Sequence, residues 1–264
     1  VDASTASDGQ VLTASSGVAT WGDSSSGGCE VVESIVGSPV RMRLDCGSGT
    51  FIVEGSTLTA SALASDSLFA DNFHCAIKTD GGVACWGTDS YGQSTPPSGS
   101  FTHLSSGEWH TCGLESDGSV SCWGYDNYGQ VSNAPSGSFT QLSSGQEHTC
   151  GLESDGSVTC WGSDWAGQVS NAPSSGSFTQ LSSGGYYTCG LKSDGGVSCW
   201  GANWDDLVSN APSSGSFAQL SSGYRHICGL ESDGSVSCWG LDNYGQTTPP
   251  SGSFTQLSSG YNHT

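Results

Sequence analysis

Cysteine and histidine recur in this chain at spacings that could do chemistry. Ten cysteines form five pairs, Cys75/Cys85, Cys112/Cys122, Cys150/Cys160, Cys189/Cys199 and Cys228/Cys238, each with nine residues between partners, and the pairs follow one another every 37 to 39 residues. Thiols in such pairs can be oxidised to disulfides or hold a metal. Nine residues within one hairpin is not a zinc-knuckle spacing. Cysteines facing each other across antiparallel strands bring their β-carbons to about 4.5–5.5 Å, a small adjustment from a bridge, so a disulfide is expected in each pair.

His110, His148 and His226 each precede a paired cysteine by two residues. They return once per repeat, as framework residues do, whereas an active site occurs once. No lone serine, histidine or carboxylate pair has a distinctive spacing, so no catalytic residue is assigned and the chain is not expected to be an enzyme. Asp205-Asp206 has no EF-hand or nonapeptide pattern around it, and neither a metal nor a cofactor is expected.

The elements that hold these residues are short strands. The unit reads most clearly over Phe139–Ser177, with near copies starting at Phe101, Phe178 and Phe217 and an incomplete one running from Phe254 to Thr264. Each copy carries three runs of strand character, of the kind FTQLSS, HTCGLES and SVSCWG, which suits a propeller blade. If Cys112 faces Cys122, Glu115 faces Ser119 across Ser116-Asp117-Gly118, and the glycine takes the left-handed conformation such a loop needs. The expected fold is an all-β propeller with blades of about 38 residues, five of them clear in the sequence and six or seven in a closed ring. Apolar residues make up only 34% of the chain, and a repeat offers only a thin apolar layer to its neighbour. Covalent closure therefore replaces part of a core, at about 2.5–3 kcal/mol per bridge on the chain-entropy account.

Disulfides persist in oxidising surroundings, so an extracellular location is expected, whether secreted or in a surface appendage. The chain starts at Val1 with neither methionine nor apolar leader, as a processed chain would, although a cut made for other reasons would look the same. No run reaches the ~20 apolar residues of a membrane span, so direct membrane insertion is not expected. Twenty-five acidic residues stand against five basic ones, Arg41, Arg43, Lys78, Lys192 and Arg225, for a formal charge of −20. Nucleic-acid binding needs clustered Lys and Arg, and no cluster exists, so nucleic acid is excluded.

The pattern GxxHTCGLxSDGxVxCWGxDxYGQ resembles the repeat of the regulator-of-chromosome-condensation family over about residues 67–264. The resemblance implies a β-propeller, usually seven-bladed. It also implies framework roles for Gly107 and His110, Gly145 and His148, Gly223 and His226, and for Trp86, Trp123, Trp161, Trp200 and Trp239. The founding member's chromatin and nucleotide-exchange activities do not carry over to an acidic, stapled chain. Secreted relatives include a protein inhibitor of β-lactamase that binds through loop aromatics. Two copies depart from the pattern: the first has FADNFHC, which shifts His74 by one place, and the fourth has Ala202–Leu207 in place of xDxYGQ, so loops of different shape are expected there.

Residues 1–66 lie outside the repeat. Asp8–Asp23 reads as two strands around Ser-Ser-Gly and resembles segments of phage tail fibres and bacterial surface stalks; with a Ser/Gly linker it makes a first region, 1–28. Residues 29–66 form a second, in which a hairpin around Gly37-Ser38-Pro39 is closed by a sixth bridge, Cys29 to Cys46, and Thr50–Glu54 adds a strand, the whole being a candidate degenerate blade. The propeller proper is 67–264.

Two loops vary between copies: the pair before the histidine and the segment after Trp-Gly. They carry Trp109, Trp165, Tyr186, Trp204, Tyr224 and Tyr261, aromatics set among Asp, Asn and Gln as in protein or glycan contact surfaces. The plainer reading is that these rings pack between blades. Asn262-His263-Thr264 is a glycosylation sequon. Two functions follow. The first is a structural subunit of an extracellular filament or appendage, self-associating through strand edges exposed by the unfinished last repeat. The second is a secreted binding module, lectin-like or inhibitor-like, whose partner is a cell-surface protein or glycan met through the aromatic loops.

Overall fold

The computed structural model describes residues 73–264 throughout and, within residues 1–72, the backbone of five strands. The chain divides into two compact units, Val1–Ala62 and Leu63–Thr264. In the first, β1 (Gln10–Ser15) and β2 (Val18–Asp23) pair as an antiparallel hairpin, and β3 (Glu30–Ile35), β4 (Val40–Asp45) and β5 (Thr50–Gly55) form an antiparallel sheet in that order. Cys29 and Cys46, with the sixth bridge expected of them, lie outside the described residues.

The second unit is all-β propeller architecture. Its opening blade is described as a pair, β6 (Phe73–Ile77) and β7 (Val83–Gly87). Four three-stranded antiparallel blades follow: β8 (Phe101–Ser106), β9 (His110–Glu115) and β10 (Val120–Gly124); β11 (Phe139–Ser144), β12 (His148–Glu153) and β13 (Val158–Gly162); β14 (Phe178–Ser183), β15 (Tyr187–Lys192) and β16 (Val197–Gly201); β17 (Phe217–Ser222), β18 (His226–Glu231) and β19 (Val236–Gly240). In each the strands lie in chain order with the middle one paired on both sides.

The hairpins take the register that the cysteine spacing demands. Cys112 stands opposite Cys122, the Glu115 amide donates to the Ser119 carbonyl at 2.9 Å, and Gly118 turns the chain with φ +85°. All five expected bridges are formed, Cys75–Cys85, Cys112–Cys122, Cys150–Cys160, Cys189–Cys199 and Cys228–Cys238, with α-carbons 4.0–4.1 Å apart. A non-hydrogen-bonded antiparallel pair already holds α-carbons near 4.5 Å, so the sheet itself sets the sulfurs within reach.

No blade has a core of its own. Cys112 and Leu114 of one blade are buried against Phe139, Leu142 and Trp161 of the next, and Cys150 and Leu152 meet Phe178, Leu181 and Trp200 in the same way. Each apolar layer is thus an interface between neighbours, which is why the unit must repeat. The layer is close-packed: a β-carbon added at Gly151 would stand 2.5 Å from Cδ1 of Phe139, the ring lying directly on that backbone. Polar groups complete the contact. The Trp161 indole donates to the Gln130 carbonyl of the preceding blade at 3.0 Å, and the Gln141 side chain both donates to the Leu181 carbonyl and accepts from its amide.

The incomplete copy docks as the first strand of a further blade. Gln219 bonds both the amide and the carbonyl of Leu257, Ser259 bonds Ser221 through amide and hydroxyl, and the Tyr224 amide donates to the Tyr261 carbonyl. The glutamine and serine bonds are those that first strands make with one another at the β11/β14 and β14/β17 junctions. Beside this segment a cleft of about 360 Å³ opens, lined by Cys238, Phe254, Leu257 and Thr264 among others.

Candidate functional site: an aromatic end surface

His110, His148 and His226 are fully buried. Nε2 of His110 lies 2.8 Å from Oγ1 of Thr149 in the next blade, and His226 reaches Thr264 at 2.9 Å. Their Nδ1 atoms have no partner, so the neutral tautomer carries its proton on Nε2, where an acceptor stands; a proton on Nδ1 would be a buried donor without one. Burial accordingly pushes His110 down to about 4 and His148 to about 3. Groups held neutral and walled in by threonine are framework rather than reagents.

These histidines mark one end of the blades, where the variable loops gather. His110 pairs with Gly124 in the sheet register, so the loop before β9 and the loop after β10 leave from the same end. The former loops are tied from blade to blade by backbone bonds: Glu108 amide to Gln146 carbonyl at 3.1 Å, Gln146 to Gly185 at 2.9 Å, Gly185 to Tyr224 at 3.0 Å. This sets Glu108, Gln146, Gly185, Tyr224 and Tyr261 in one row. A second row, Trp109, Glu147, Tyr186 and Arg225, is defined by carbonyls that accept from Tyr125, Ser163, Ala202 and Leu241 in the loops after Trp-Gly.

Those later loops are shaped by a cap. Oδ1 of Asp126 accepts from the amides of Val131 and Ser132 at 2.8 and 2.9 Å, and Asp164 does the same for Val169 and Ser170. Partial desolvation raises the pKa of both carboxyls, but the amide donors outweigh it and the net direction is down. In the fourth copy Asn203 takes over the cap, its Oδ1 accepting from the amides of Val208 and Ser209 and its Nδ2 donating to the Ser209 hydroxyl, while the turn itself changes: Asp205 and Asp206 both adopt φ 55° and Leu207 fills the place of the buried glutamine. The expected difference in loop shape is therefore confined to that turn.

Five of the six aromatics expected at a binding surface come together. Trp165 meets Tyr186 at 5.0 Å and Trp204 at 5.6 Å between ring centroids, Tyr186 meets Trp204 at 5.4 Å and Tyr224 at 6.3 Å, and Tyr224 stacks on Tyr261 at 4.3 Å. Packing between blades does not hide them: Trp165 remains 59% exposed and Trp204 36%. Trp109 belongs to a second cluster with Tyr91 and, through Tyr91, Tyr125. Tyr91 and Tyr125 were not singled out from the sequence, nor was Arg225, which lies 4.9 Å above the Trp204 ring and 2.8 Å from Asp205. Asn262 of the sequon is exposed.

Glu108, Gln146 and Glu147 separate the two clusters. The Gln146 amide nitrogen donates to Glu108 and leaves its own Oε1 buried without a partner. Desolvation, then the nearby Glu108, raises Glu147 above the usual carboxylate range. Tyr186 is pushed up first by burial and then by Glu147. Among the described residues no group of three or more His, Cys, Asp or Glu could hold a metal, and no helix is long and apolar enough to cross a membrane.

The description "Regulator of chromosome condensation (RCC1) repeat" matches residues 101–130, 139–168, 178–203 and 217–246. The chain carries four RCC1 repeats. Three of the four matches run from the first-strand phenylalanine to the loop glutamine, and the one that stops early, at Asn203, stops where the fourth loop departs. Among solved structures the RCC1 repeats resemble the entire ectodomain of the Physcomitrella patens receptor kinase CR4, with 29% identity, a TM-score of 0.61 and coverage of 72% of this chain and 54% of that one. The chain thus spans about half the length of that ectodomain. They also resemble the CRINKLY WD40 ectodomain of the Arabidopsis thaliana receptor kinase ACR4, at 24% identity, TM-score 0.61 and 88% coverage of each chain. Prp20p of Saccharomyces cerevisiae shares the fold at 16% identity and TM-score 0.57, over 68% of this chain and 57% of that one. No curated protein sequence matches the chain.

Proposed function

We propose that the repeat unit is a non-catalytic extracellular binding module whose contact surface is the aromatic end of the blades. The observation that carries this reading is the cluster of Trp165, Tyr186 and Trp204, in which Tyr186 meets both indoles edge-on and the indoles lie tilted against each other, while Trp165 stays 59% exposed. Rigid aromatic area of this kind lowers the ordering cost of an interface. Five disulfides and the likeness to receptor ectodomains support an extracellular setting. The test is capture of protein and glycan ligands from native medium by the wild-type chain and by Trp165→Ala/Trp204→Ala. Ligands retained by the first and lost by the second support the surface; equal capture, or none by either, removes it.

A second reading, a self-assembling structural subunit, is favoured by the segment Phe254–Ser259. It bonds Gln219 and Ser221 of the preceding blade in the way first strands bond one another, a blade-to-blade contact that a second copy of the chain could also offer. Sedimentation and imaging decide: a chain that stays monomeric at high concentration and forms no particle is not a filament subunit.

A further inference from the structure

The second row of the aromatic end reads Trp109, Glu147, Tyr186, Arg225. Three of its four members rest on an aromatic ring of the preceding loop: Trp109 on Tyr91, Tyr186 on Trp165, Arg225 on Trp204. The third case shows how this surface holds a cation, with the guanidinium over an indole and a carboxylate, Asp205, 2.8 Å away.

At Glu147 the pattern is inverted. A carboxylate stands between the row's rings Trp109 and Tyr186, beside Glu108 in the first row and the unbonded Oε1 of Gln146. Apart from the Ser163 hydroxyl, which bonds Glu147, the position offers acceptors, set in a row between two aromatic residues, and its complement is a group with several N–H donors and a positive charge. The rest of that end agrees in sign. Asp126, Asp164 and Asp205 lie in the same loops as the rings, and Arg225 is the one Lys or Arg there among the described residues, since Lys78 and Lys192 precede the hairpin turns at the opposite end.

We propose that the aromatic end docks a basic polypeptide segment, one lysine or arginine of which binds Glu147 and Glu108 between Trp109 and Tyr186, as Arg225 binds Asp205 over Trp204. This rests on the aromatic surface proposed above and names the chemistry of its partner. Burial first, and the neighbouring Glu108 second, make the Glu147 carboxylate costly to hold charged, and an arriving cation offsets both.

The test uses the full chain, immobilised and panned against phage displaying random dodecapeptides. The expected binders carry Lys or Arg beside apolar residues. Glu108→Gln/Glu147→Gln weakens them by about tenfold or more, while Asp117→Asn/Asp155→Asn, removing equal charge at the turn end, changes affinity by less than about twofold. Equal losses from both pairs would reduce the effect to attraction by net charge and overturn the proposal. Binders without basic residues that are lost with Trp165→Ala, or a neutral glycan held by the same rings, would overturn it while leaving the surface standing. Absence of any peptide or glycan ligand sensitive to Trp165→Ala would remove both. All variants are first checked for unchanged thermal unfolding, so that loss of binding is not loss of fold.

Discussion

Nε2 of His148 lies 2.8 Å from Oγ1 of Thr188, the residue that precedes the bridged Cys189 in the next blade. Thr188 in turn meets Oγ of Ser183 at 2.9 Å, and that serine donates to the carbonyl of Ser143 at 3.0 Å, back in the blade that carries the histidine. Because the serine's proton is committed to a carbonyl, each earlier proton must point along the chain, from His148 to Thr188 to Ser183. The same sequence of bonds runs from His110 through Thr149 and Ser144 to Ser105, and from His226 through Thr264 and Ser259 to Ser221. At the remaining complete junction both ends change together: Tyr187 replaces histidine and Ile227 replaces threonine. The Tyr187 hydroxyl passes beyond the isoleucine and donates to the carbonyls of Gly223 and His226, at 3.0 and 2.5 Å.

That joint change predicts a coupling energy. Tyr187→His alone would leave a buried N–H facing Ile227 and vacate the ring's volume, a loss of about 2–4 kcal/mol. Ile227→Thr alone would bury a hydroxyl beside the tyrosine at about 1–2 kcal/mol. The double variant restores the bond that the other junctions make, so its cost should fall below the sum by at least about 1 kcal/mol. Denaturant unfolding of the four proteins measures this, and strictly additive losses would show that the two sites are independent.

Much of the blade was legible because one constraint fixes many others. Once Cys112 faces Cys122, the positions of Glu115, Ser119 and Gly118 follow by counting, and the structure follows the count. Contacts between blades do not follow in that way. Trp109 and Tyr91 stand in different repeats, as do Arg225 and Trp204, and the blade-to-blade rotation that brings them together is written in no local spacing. The loops that carry the surface could therefore be named from their variation between copies, whereas the division into two ring clusters and the place of Arg225 could not. The exchange at Tyr187 and Ile227 was not singled out from the sequence, where the two residues stand 40 positions apart, and only the contact between their blades gives it meaning.

Stability should fall with acid well before the carboxylates titrate. His110 and His148 are held at about 4 and about 3 in the folded chain, against 6.5 when free, so the unfolded chain binds more protons below pH 6.5. Their contribution is fully present above 6.5 and declines as pH falls towards 4, each histidine accounting for about 3 kcal/mol by linkage. Unfolding free energy measured from pH 8 to pH 4 should be flat above 7 and drop below 6.5. A chain carrying His148→Gln should lose stability at neutral pH and show a shallower acid slope; an unchanged slope would mean that His148 is not the proton-linked group.

The five bridges should contribute separately. Each closes a short hairpin loop between cysteines that the strand register already sets opposite one another, and so removes entropy from the unfolded chain. Cys150→Ser/Cys160→Ser is expected to cost about 2–3 kcal/mol, and reduction of all five should lower the melting temperature far more than any single pair. Alkylation of the unreduced chain followed by mass measurement should leave Cys112, Cys122 and their counterparts unlabelled. Labelling there would remove both the bridges and the case for an oxidising compartment.

Two tryptophans four residues apart separate packing from recognition. Trp161 is 3% exposed, lies against Phe139 and donates its indole proton to Gln130, so Trp161→Ala opens the interface between two blades and should cost about 3–5 kcal/mol. Trp165 is 59% exposed and its ring meets Tyr186 and Trp204 at the end surface, so Trp165→Ala should change unfolding by no more than about 1 kcal/mol. Its cost belongs instead to binding, where truncating an aromatic anchor typically loses about 2 kcal/mol or more. Unfolding curves and ligand titrations on both variants give opposite rankings if Trp165 serves the surface. A Trp165→Ala chain as unstable as Trp161→Ala would make the cluster part of the core, and the partner would have to be sought elsewhere on the blades.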